Sequence, residues 1–218
     1  MPFAMRHRAD PTPSLTSLAG LEVHHVWDAD FMARLQGRSI ETMEARFADG
    51  HRAYVAWLNE SAAAWGWVAT RTATIGELDT TFALPSGERY LWNFVTLPAH
   101  RGRGIYPRLI EAIVSAEAAA AERFWIAYAP ENHASKVGVA KAGFTLRAEM
   151  SFDASGLPAL RPTSSSNAGI VSRVLGIRET SEALTPCWRC VRAGRGAMAC
   201  VEGQCRCDYQ EPKSGCAA

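Results

Sequence analysis

Residues 93–107 carry the clearest structural pattern in the sequence, and they read Asn-Phe-Val-Thr-Leu-Pro-Ala-His-Arg-Gly-Arg-Gly-Ile-Tyr-Pro. A stretch dense in aromatic and β-branched residues ends at Pro98, which predicts a buried strand with a definite stop. Gly102 and Gly104 follow in a short turn, and glycine lets the backbone approach an anion closely. From Pro107 onward the apolar residues recur at i, i+3 and i+4 spacing, which predicts a helix. The stretch therefore predicts a strand, a glycine turn and a helix in direct succession.

The junction between this turn and the helix is suited to binding an anion. Backbone N–H groups at a helix N-terminus lack intrahelical partners, and the macrodipole adds partial positive charge there. Arg101 and Arg103 offer further charge-assisted contacts. The turn lacks the Gly-Lys-Ser/Thr of a P-loop and the third glycine of a dinucleotide fingerprint. It predicts a phosphate or pyrophosphate site, with a plain strand-to-helix turn as the alternative.

Strands and helices interleave along the chain. Hairpin-like strands come first and a β-α-β-α-β order follows, which favours an α/β layered domain around one mixed sheet. The predicted strands are residues 21–26, 53–58, 63–72, 90–97, 124–128 and 144–152. The predicted helices lie around residues 31–35, 40–47, 107–121 and 132–142, and residues 75–85 fit neither pattern clearly.

Composition divides the 218 residues into four parts. Residues 1–17 contain three prolines and predict a loose leader. Residues 18–155 hold the layered domain. Residues 156–184 begin a Ser-, Pro- and Gly-rich region and predict a linker. Residues 185–218 form a tail that contains all six cysteines.

Charge and hydropathy exclude several classes of protein. The formal net charge is +1, so no global field favours nucleic acid or a membrane surface. No stretch resembles a signal peptide, and none approaches the roughly 20 apolar residues that span a bilayer. We therefore expect a cytoplasmic protein that binds neither nucleic acid nor a membrane.

Two elements of the sequence resemble the GNAT superfamily of acetyltransferases. In that family a hydrophobic-x-Val-x-Pro strand end precedes Arg/Gln-x-x-Gly-x-Gly/Ala, and here residues 94–98 precede Arg101-x-x-Gly104-x-Tyr106. The second element is Asn132-x-x-Ser135, followed by Ala-Gly-Phe at residues 142–144. Both elements occur in the family's order, and the resemblance covers roughly residues 21–152.

The resemblance implies an N-acyltransferase with a mixed, mostly antiparallel central sheet flanked by helices. It also implies acetyl-CoA or another acyl-CoA as the co-substrate, with its pyrophosphate on the backbone amides of the turn. Tyr106 replaces a small residue of the family, a departure that would narrow the turn. The implied cofactor-binding residues lie on the strand end, the turn and the later helix: Val95, Thr96, Leu97, Arg101, Gly102, Arg103, Gly104, Ile105, Tyr106, Asn132 and Ser135.

The resemblance further implies direct attack of an acceptor amine on the thioester. A backbone N–H at a strand bulge, near residues 95–97, would polarise the thioester oxygen, with Thr96 as the central residue. Val139 stands where many members have the tyrosine that protonates the leaving thiolate. Tyr128 and Ser135 are the candidate substitutes, although Tyr128 can equally be a packed strand residue. Glu77, Asp79 and Glu88 are candidate bases, and the alternative for each is a solvated loop carboxylate.

The tail permits a metal site. The pair Cys187-x2-Cys190 and a second cluster of three cysteines have residue types that bind zinc in a tetrahedral arrangement. The candidate ligands are Cys187, Cys190, Cys200, Cys205 and Cys207. The second cluster is irregular, so a tail of reduced thiols is the alternative. Disulfides would need an oxidising compartment, for which the sequence carries no export signal.

The sequence leaves several classes of acceptor open. It can be a small-molecule amine or a protein amine, and family members are frequently dimers, so a homodimer stays open. The segments implied to select the acceptor, around residues 28–47 and 76–88, show no dominant charge. Two other functions stay open: an acyl-CoA-binding sensor with degraded catalysis, which Val139 supports, and a scaffold for a zinc-binding tail.

Overall fold

The computed structural model describes residues 1–184 and the short strands Cys200–Val201 and Gln204–Cys205. The strands of the main part are β1 (Pro2–His7), β2 (Leu21–Val26), β3 (Arg52–Leu58), β4 (Ser61–Ala69), β5 (Thr72–Ile75), β6 (Thr80–Ala83), β7 (Glu88–Thr96), β8 (Arg123–Ala127), β9 (Thr145–Phe152), β10 (Pro158–Pro162) and β11 (Arg178–Glu179). The α-helices are α1 (Ala29–Gln36), α2 (Ile40–Ala48), α3 (Ile105–Glu117), α4 (His133–Lys141) and α5 (Ile170–Leu175). Short 3-10 turns lie at Gly76–Leu78, Pro98–His100 and Ser165–Asn167.

Nine strands form one mixed sheet in the order β11-β10-β9-β1-β8-β7-β4-β3-β2. Only the pairs β7–β8 and β10–β11 in this sheet are parallel. The segment with no clear pattern in the sequence, residues 75–85, contributes to a separate hairpin of β5 and β6. The structure therefore confirms the predicted layered α/β fold with a mostly antiparallel central sheet.

β1 corrects the expectation of a loose leader at residues 1–17. The strand lies inside the sheet, antiparallel to β8 on one side and to β9 on the other. Phe3 is fully buried and stacks on Trp125, with 5.1 Å between the ring centroids. Arg6 points to the opposite face, where it pairs with Glu111 of α3. Pro2 does not break the strand, because a proline is tolerated at the first position of a strand.

Residues 156–184 also differ from the predicted linker. They contain β10, α5 and β11, and β10 pairs with β9 in antiparallel register. Leu160 and Val171 are fully buried. The serine run at residues 164–166 dominated the composition of the segment, but it occupies no more than a turn. The packed unit therefore continues well beyond residue 155.

Helices and a hairpin cover the two faces of the sheet. On one face α3 and α4 pack over the middle strands, and Ile110 and Ile113 of α3 are fully buried. On the opposite face Met32 of α1 and Met43 of α2 cover β3 and β4. The β5–β6 hairpin and α5 cover the β8 to β10 half of that same face. Trp92 of β7 packs against both groups, so it marks the boundary between them.

Glu117 at the C-terminal end of α3 fixes this helix on the sheet. The buried carboxylate accepts hydrogen bonds from Tyr54 Oη at 2.7 Å, Arg52 Nη1 at 2.9 Å and Arg89 Nε at 3.0 Å. Burial by itself raises the pKa of a carboxyl, but these donors outweigh it and hold the pKa of Glu117 below its ordinary value. The cluster anchors one end of α3 and thereby directs its other end, the N-terminus, toward the glycine turn.

No helix within the described residues is both long enough and apolar enough to cross a membrane. In the same part of the chain, no three His, Cys, Asp or Glu side chains are grouped as metal ligands. The predicted zinc site of the tail falls largely outside the described residues. Of that tail, the backbones of Cys200–Val201 and Gln204–Cys205 are seen to pair as a short antiparallel hairpin.

Candidate active site

The end of β7 presents an open backbone edge. β7 and β8 pair in parallel from Glu88↔Arg123 to Leu91↔Ile126, and β7 then continues without this neighbour to Thr96. On its other side β7 stays paired with β4 as far as Thr96↔Ala64. Beyond Leu91, the backbone N–H and C=O groups that face away from β4 are therefore available to a ligand, except the carbonyl oxygen of Thr96, which accepts from Arg101. The predicted residues Val95, Thr96 and Leu97 all lie at this half-buried end.

A β-bulge lies at the start of the open edge. The β4–β7 register shifts between Trp65↔Val95 and Trp67↔Trp92, so one residue of β4 faces two residues of β7. Asn93 adopts a left-handed φ of 50°, which Asn tolerates better than most residues. Gly66 lies opposite, and a Cβ there would come within 2.2 Å of the Phe94 ring. The sequence predicts the bulge near residues 95–97, and the structure places it just before them, at residues 93–94, where Asn93 accepts a left-handed φ and Gly66 leaves room for the Phe94 ring.

The glycine turn follows as the sequence predicts. Gly102 and Gly104 have left-handed φ values of 77° and 69°, and α3 begins directly after Gly104 with no side-chain cap. The free N–H groups of the first helical turn therefore face the turn. A Cβ on Gly102 would meet nothing within 4 Å, which shows open space beside the backbone. The turn and the helix together form a site with the chemistry of an anion cradle.

The two arginines of the turn have different positions. Arg101 donates from Nε to the carbonyl oxygen of Thr96 at 3.1 Å, so it ties the turn back to the end of β7. Its terminal nitrogens remain for other partners. Arg103 is exposed at the tip of the turn. Both guanidinium groups therefore stand close enough to the turn to add positive charge to it.

Tyr106 is accommodated between α3 and α4. Its hydroxyl lies 3.1 Å from Ser135 Oγ, and its ring meets Phe94 edge-on, with 5.4 Å between centroids. Burial, despite the hydrogen bond with Ser135, raises the pKa of Tyr106 to about 12. Gly138 of α4 provides the space, because a Cβ there would come within 2.3 Å of Tyr106 Cδ1. The ring thus packs into the helix interface, which the sequence did not reveal.

Asn132 and Ser135 meet at the N-terminus of α4. Asn132 Oδ1 accepts from the Ser135 N–H at 2.9 Å, so Asn132 is the N-cap of this helix. The cap explains the Asn-x-x-Ser spacing in local terms. The Asn132 amide nitrogen has no part in the cap and remains for a ligand. Through Tyr106, the N-terminus of α4 is also joined to the first turn of α3.

The candidate proton carriers do not form one group. Tyr128 is half-buried just after β8 and packs against the α3 side of the core, and burial followed by the charge of Glu149 raises its pKa. Ser135 already contacts Tyr106. Glu77 lies in the turn between β5 and β6, and its charge acts on the buried Tyr90. Val139 is buried and apolar, so it moves no proton.

A polar group beside the bulge was not predicted. Gln36 Oε1 accepts from Asn93 Nδ2 at 3.4 Å, from Trp67 Nε1 at 3.3 Å and from Arg46 Nη1 at 3.2 Å. Residues 36, 46, 67 and 93 share no spacing that would have indicated the group. The one sequence signal was an asparagine inside a strand that is otherwise aromatic and β-branched.

Trp92 and His51 extend this group. Trp92 donates from Nε1 to His51 Nδ1 at 3.0 Å, which assigns the imidazole proton to Nε2. Burial, with help from the charges of Arg46 and Arg71, lowers the pKa of His51. The imidazole is therefore held neutral by its surroundings, and its Nδ1 is already occupied. His51 positions Trp92 rather than acting as a free base.

The sequence of this region carries a family signature. The model of the acetyltransferase (GNAT) family matches residues 20–144 of the 218. The chain belongs to the GNAT family of acetyltransferases. The match spans the open edge of β7, the glycine turn, α3 and α4, so every part of the candidate site lies inside the GNAT region. No curated protein matches the chain.

Several solved structures show a distant likeness to this GNAT chain. A GNAT-family protein from Novosphingobium aromaticivorans is 19% identical with a TM-score of 0.47, and 67% of this chain and 60% of that chain are covered. A GCN5-related N-acetyltransferase from Kribbella flavida is 15% identical with a TM-score of 0.41, covering 66% of this chain and 53% of that one. An aminoglycoside antibiotic 6'-N-acetyltransferase from Acinetobacter baumannii is 15% identical with a TM-score of 0.43, covering 58% and 91%. This chain thus spans about 60% and about half of the first two proteins, and its membership of the GNAT family rests on residues 20–144.

Proposed function

We propose that the protein transfers an acetyl or other short acyl group from acyl-CoA to a primary amine by direct attack on the thioester. The observation that supports this most strongly is the continuity of the open β7 edge with the glycine turn and the uncapped start of α3. An extended backbone edge suits an amide-containing arm, and free helix N–H groups suit a pyrophosphate. Acyl-CoA contains both parts and supplies an activated acyl group.

The glycine turn, the β7 edge and α4 would each bind a different part of acyl-CoA or contact it from a different side. Backbone amides at Gly102, Gly104 and the first turn of α3 would take the pyrophosphate, with Arg101 and Arg103 adding charge. The edge at residues 95–97 would pair with the amide-containing arm. The free amide nitrogen of Asn132 and the hydroxyl of Ser135 would contact the same arm from α4. The open space beside Gly102 supports this fit.

The bulge would polarise the thioester. A strand bulge interrupts the regular ladder of backbone hydrogen bonds, and the left-handed Asn93 lies at this interruption beside the open edge. One well-placed oxyanion donor is worth about 3–4 kcal/mol of transition-state stabilisation. Thr96 contributes through its backbone at the far end of the same edge.

The mechanism needs a proton donor for the leaving thiolate and a base for the amine. We favour Tyr128 as the proton donor to the leaving thiolate, because Ser135 is already bonded to Tyr106. No partner among residues 1–184 holds the Tyr128 hydroxyl, and its raised pKa keeps the phenol protonated. Glu77 on the β5–β6 connection would take the proton of the amine through water.

The first experiment is a titration of the purified protein with acetyl-CoA by calorimetry. We expect a single site that Gly104→Val weakens at least about tenfold, because a bulky side chain disturbs the amides that hold the charged phosphates. Gly176→Val is the matched control, since Gly176 has a similar left-handed φ of 66° at the end of α5, away from the turn. Equal weakening by both variants, or no binding to the wild type, would reject the proposed site.

A second function is an acyl-CoA-binding module without turnover, which the buried Val139 supports. The two functions differ in one measurement. A sensor binds acetyl-CoA but acetylates no amine in a broad panel, whereas the enzyme releases CoA only when an amine is present. Release of CoA can be followed with a thiol reagent in the same sample that was used for the titration.

Two further proposals concern zinc binding by the cysteine-rich tail and the oligomeric state of the protein. We propose a small zinc site in the tail from the cysteine spacing alone, and elemental analysis of purified protein tests it. Zinc well below one equivalent per chain would reject it. We also propose a homodimer, which sedimentation tests directly.

A further inference from the structure

We propose that Arg46 binds a carboxylate of the acceptor, so that the acceptor is a short amine-bearing acid such as an amino acid. The inference rests on the proposed function, since it takes the bulge of β7 as the place where the acyl group is transferred. It assigns a ligand to the guanidinium of Arg46, which is not part of the proposed cofactor site.

Arg46 has a guanidinium that the fold leaves largely uncommitted. Among residues 1–184 its hydrogen-bond acceptor is Gln36 Oε1, and no carboxylate of these residues lies within 4.0 Å of it. Other well-buried arginines have such partners: Arg6 pairs with Glu111 and Arg89 with Glu117. Desolvated charges are normally paired, and Arg108, which is half-buried and also lacks a carboxylate partner, is bonded to backbone carbonyl oxygens instead.

The remaining donors of Arg46 are open to solvent. The residue is half-buried, yet none of its nitrogens is both buried and unpaired within the described part of the chain. The planar group lies over two indole rings, with its Cζ 5.0 Å from the Trp67 centroid and 4.7 Å from the Trp92 centroid. Stacking of this kind fixes the plane of a guanidinium and leaves its edge free for a bidentate ligand.

The position of Arg46 connects it to the bulge. Arg46 Nη1 and Asn93 Nδ2 donate to the same oxygen of Gln36 at 3.2 and 3.4 Å, so these two nitrogens are at most about 6.6 Å apart. Trp92, on which the guanidinium lies, directly precedes Asn93 in β7. An acceptor whose carboxylate binds Arg46 can therefore place a nearby amine at the open edge.

The charges around Arg46 favour a ligand that carries a single negative charge. Arg38 adds positive charge, and burial together with Arg38 lowers the pKa of Arg46 to about 10, which leaves the guanidinium charged at neutral pH. His51 is held neutral, Arg71 is bound to the carbonyl oxygens of Ala48 and Asp49, and Asp49 acts on His51. One guanidinium matches a carboxylate, whereas a doubly charged phosphate group normally collects several donors.

The test compares acids with their amides as acceptors. The panel contains the twenty amino acids, β-alanine and the corresponding amides, with phosphoethanolamine and ethanolamine as a phosphate pair. We expect at least one acid to have a KM about tenfold or more below that of its amide, since one charge-assisted bond is removed. Arg46→Met keeps the stem on the indoles and should raise the KM of that acid about 10- to 100-fold, while the KM values of its amide and of acetyl-CoA stay unchanged.

Two further variants separate binding from folding. Arg46→Lys keeps the charge without the planar fork and should have an intermediate KM for the acid. Arg34→Met removes an exposed arginine of α1 that already pairs with Asp30, and it should change none of the KM values. If Arg46→Met does not fold, the graded effect of Arg46→Lys on acid but not amide decides the question.

The outcomes distinguish this inference from the proposed function. Equal KM values for acids and amides, an equal effect of Arg46→Met on both, or a preference for phosphoethanolamine would overturn the carboxylate site while leaving acetyl transfer intact. If no amine is acetylated, the proposed function fails, and calorimetry of the acids on CoA-loaded protein decides the site by itself. Binding that Arg46→Met abolishes supports it, and the absence of binding overturns it.

Discussion

The ring of Tyr106 occupies the space that a side chain at residue 138 would need. A Cβ on Gly138 would lie 2.3 Å from Tyr106 Cδ1 and 2.7 Å from Cε1. The two residues belong to α3 and α4, which carry the two parts of the family signature. The large residue in the turn motif is thus compensated by a glycine in the middle of the next helix. This fit sets the distance between α3 and α4, whose N-termini belong to the proposed cofactor site.

Replacing Gly138 should lower the stability of the protein, because the new side chain would clash with the Tyr106 ring. Alanine is a better helix former than glycine by about 1 kcal/mol, but the clash with a packed ring costs about 1–3 kcal/mol, so we expect Gly138→Ala to destabilise the protein. Chemical denaturation measures the change. Gly76→Ala is the control, because a Cβ at Gly76 meets nothing within 4 Å. A destabilisation that Tyr106→Ala does not reduce in the double variant would show that the ring is not the cause.

Two substitutions of Asn93 should distinguish the role of the bulge backbone from the role of the Asn93 side chain. Asn93→Val places a β-branched residue at a left-handed φ, which costs about 1–3 kcal/mol and shifts the bulge. We expect kcat to fall about 100-fold, as for the loss of an oxyanion donor. Asn93→Gly keeps the backbone and loses only the bond to Gln36, so its kcat should stay within a few-fold of the wild type. Steady-state kinetics with saturating acetyl-CoA test this, and equal loss in both variants would contradict it.

Tyr128→Phe tests the acid. General acid catalysis contributes about 10²–10⁴-fold, so we expect kcat to drop by at least about 100-fold. Because the pKa of Tyr128 is raised, the donor stays protonated, and any decline of the wild-type rate from its ionisation must occur above the ordinary tyrosine value of about 10. Ser135→Ala is the comparison and should leave kcat within a few-fold of the wild type. The reverse ranking would assign the proton to Ser135.

Glu117 should make stability sensitive to acid. The pKa of Glu117 is lower in the folded protein than in the unfolded chain, so its carboxylate stabilises the fold above the unfolded value of about 4.3. That contribution is lost as the pH falls through the lower native pKa. Glu117→Gln should remove about 3 kcal/mol at pH 7, and its unfolding free energy should fall less steeply below pH 4 than that of the wild type.

The control for Glu117 is Glu122→Gln, since Glu122 is an exposed partner of Arg8 at 3.9 Å. Its unfolding free energy should stay within about 0.5 kcal/mol of the wild type at every pH. Denaturant titrations between pH 3 and pH 7 cover the relevant range. Parallel pH curves for the wild type and Glu117→Gln would show that the carboxylate is not the source of the acid sensitivity.

The sequence predicted the parts of the fold that have strong local periodicity. α3 was found because Leu109, Ile110 and Ile113 repeat on one face, and β7 because aromatic and β-branched residues end at a proline. β1 was missed, although Phe3 and Met5 alternate with Ala4 and Arg6. The strand is short and begins with proline, so composition outweighed alternation. The serine run at residues 164–166 likewise made the composition of residues 156–184 resemble a linker, although most of that segment is packed.

The sequence predicts only those parts of the candidate site whose residues lie close together in the chain. The glycine turn and the Asn132 cap each lie within a few residues, so their spacing is visible in the sequence. Gln36, Arg46 and Asn93 come together through the packing of α1 and α2 on β4 and β7, and no spacing reports that. A count of charges around residues 28–47 gives no signal either, because it does not show that Arg34 is paired with Asp30 whereas Arg46 has no carboxylate partner among residues 1–184. The difference lies in contacts rather than in composition.

The place of β1 in the sheet has a consequence for how the chain is made. Phe3 pairs with Ala127, and Pro2 pairs with Glu149, so both neighbours of the first strand are synthesised long after it. Until then the strand emerges with two open edges and a large apolar ring at Phe3. Pairings this distant close long loops and are slow to form. We therefore expect β1 to be among the last strands to reach its native position.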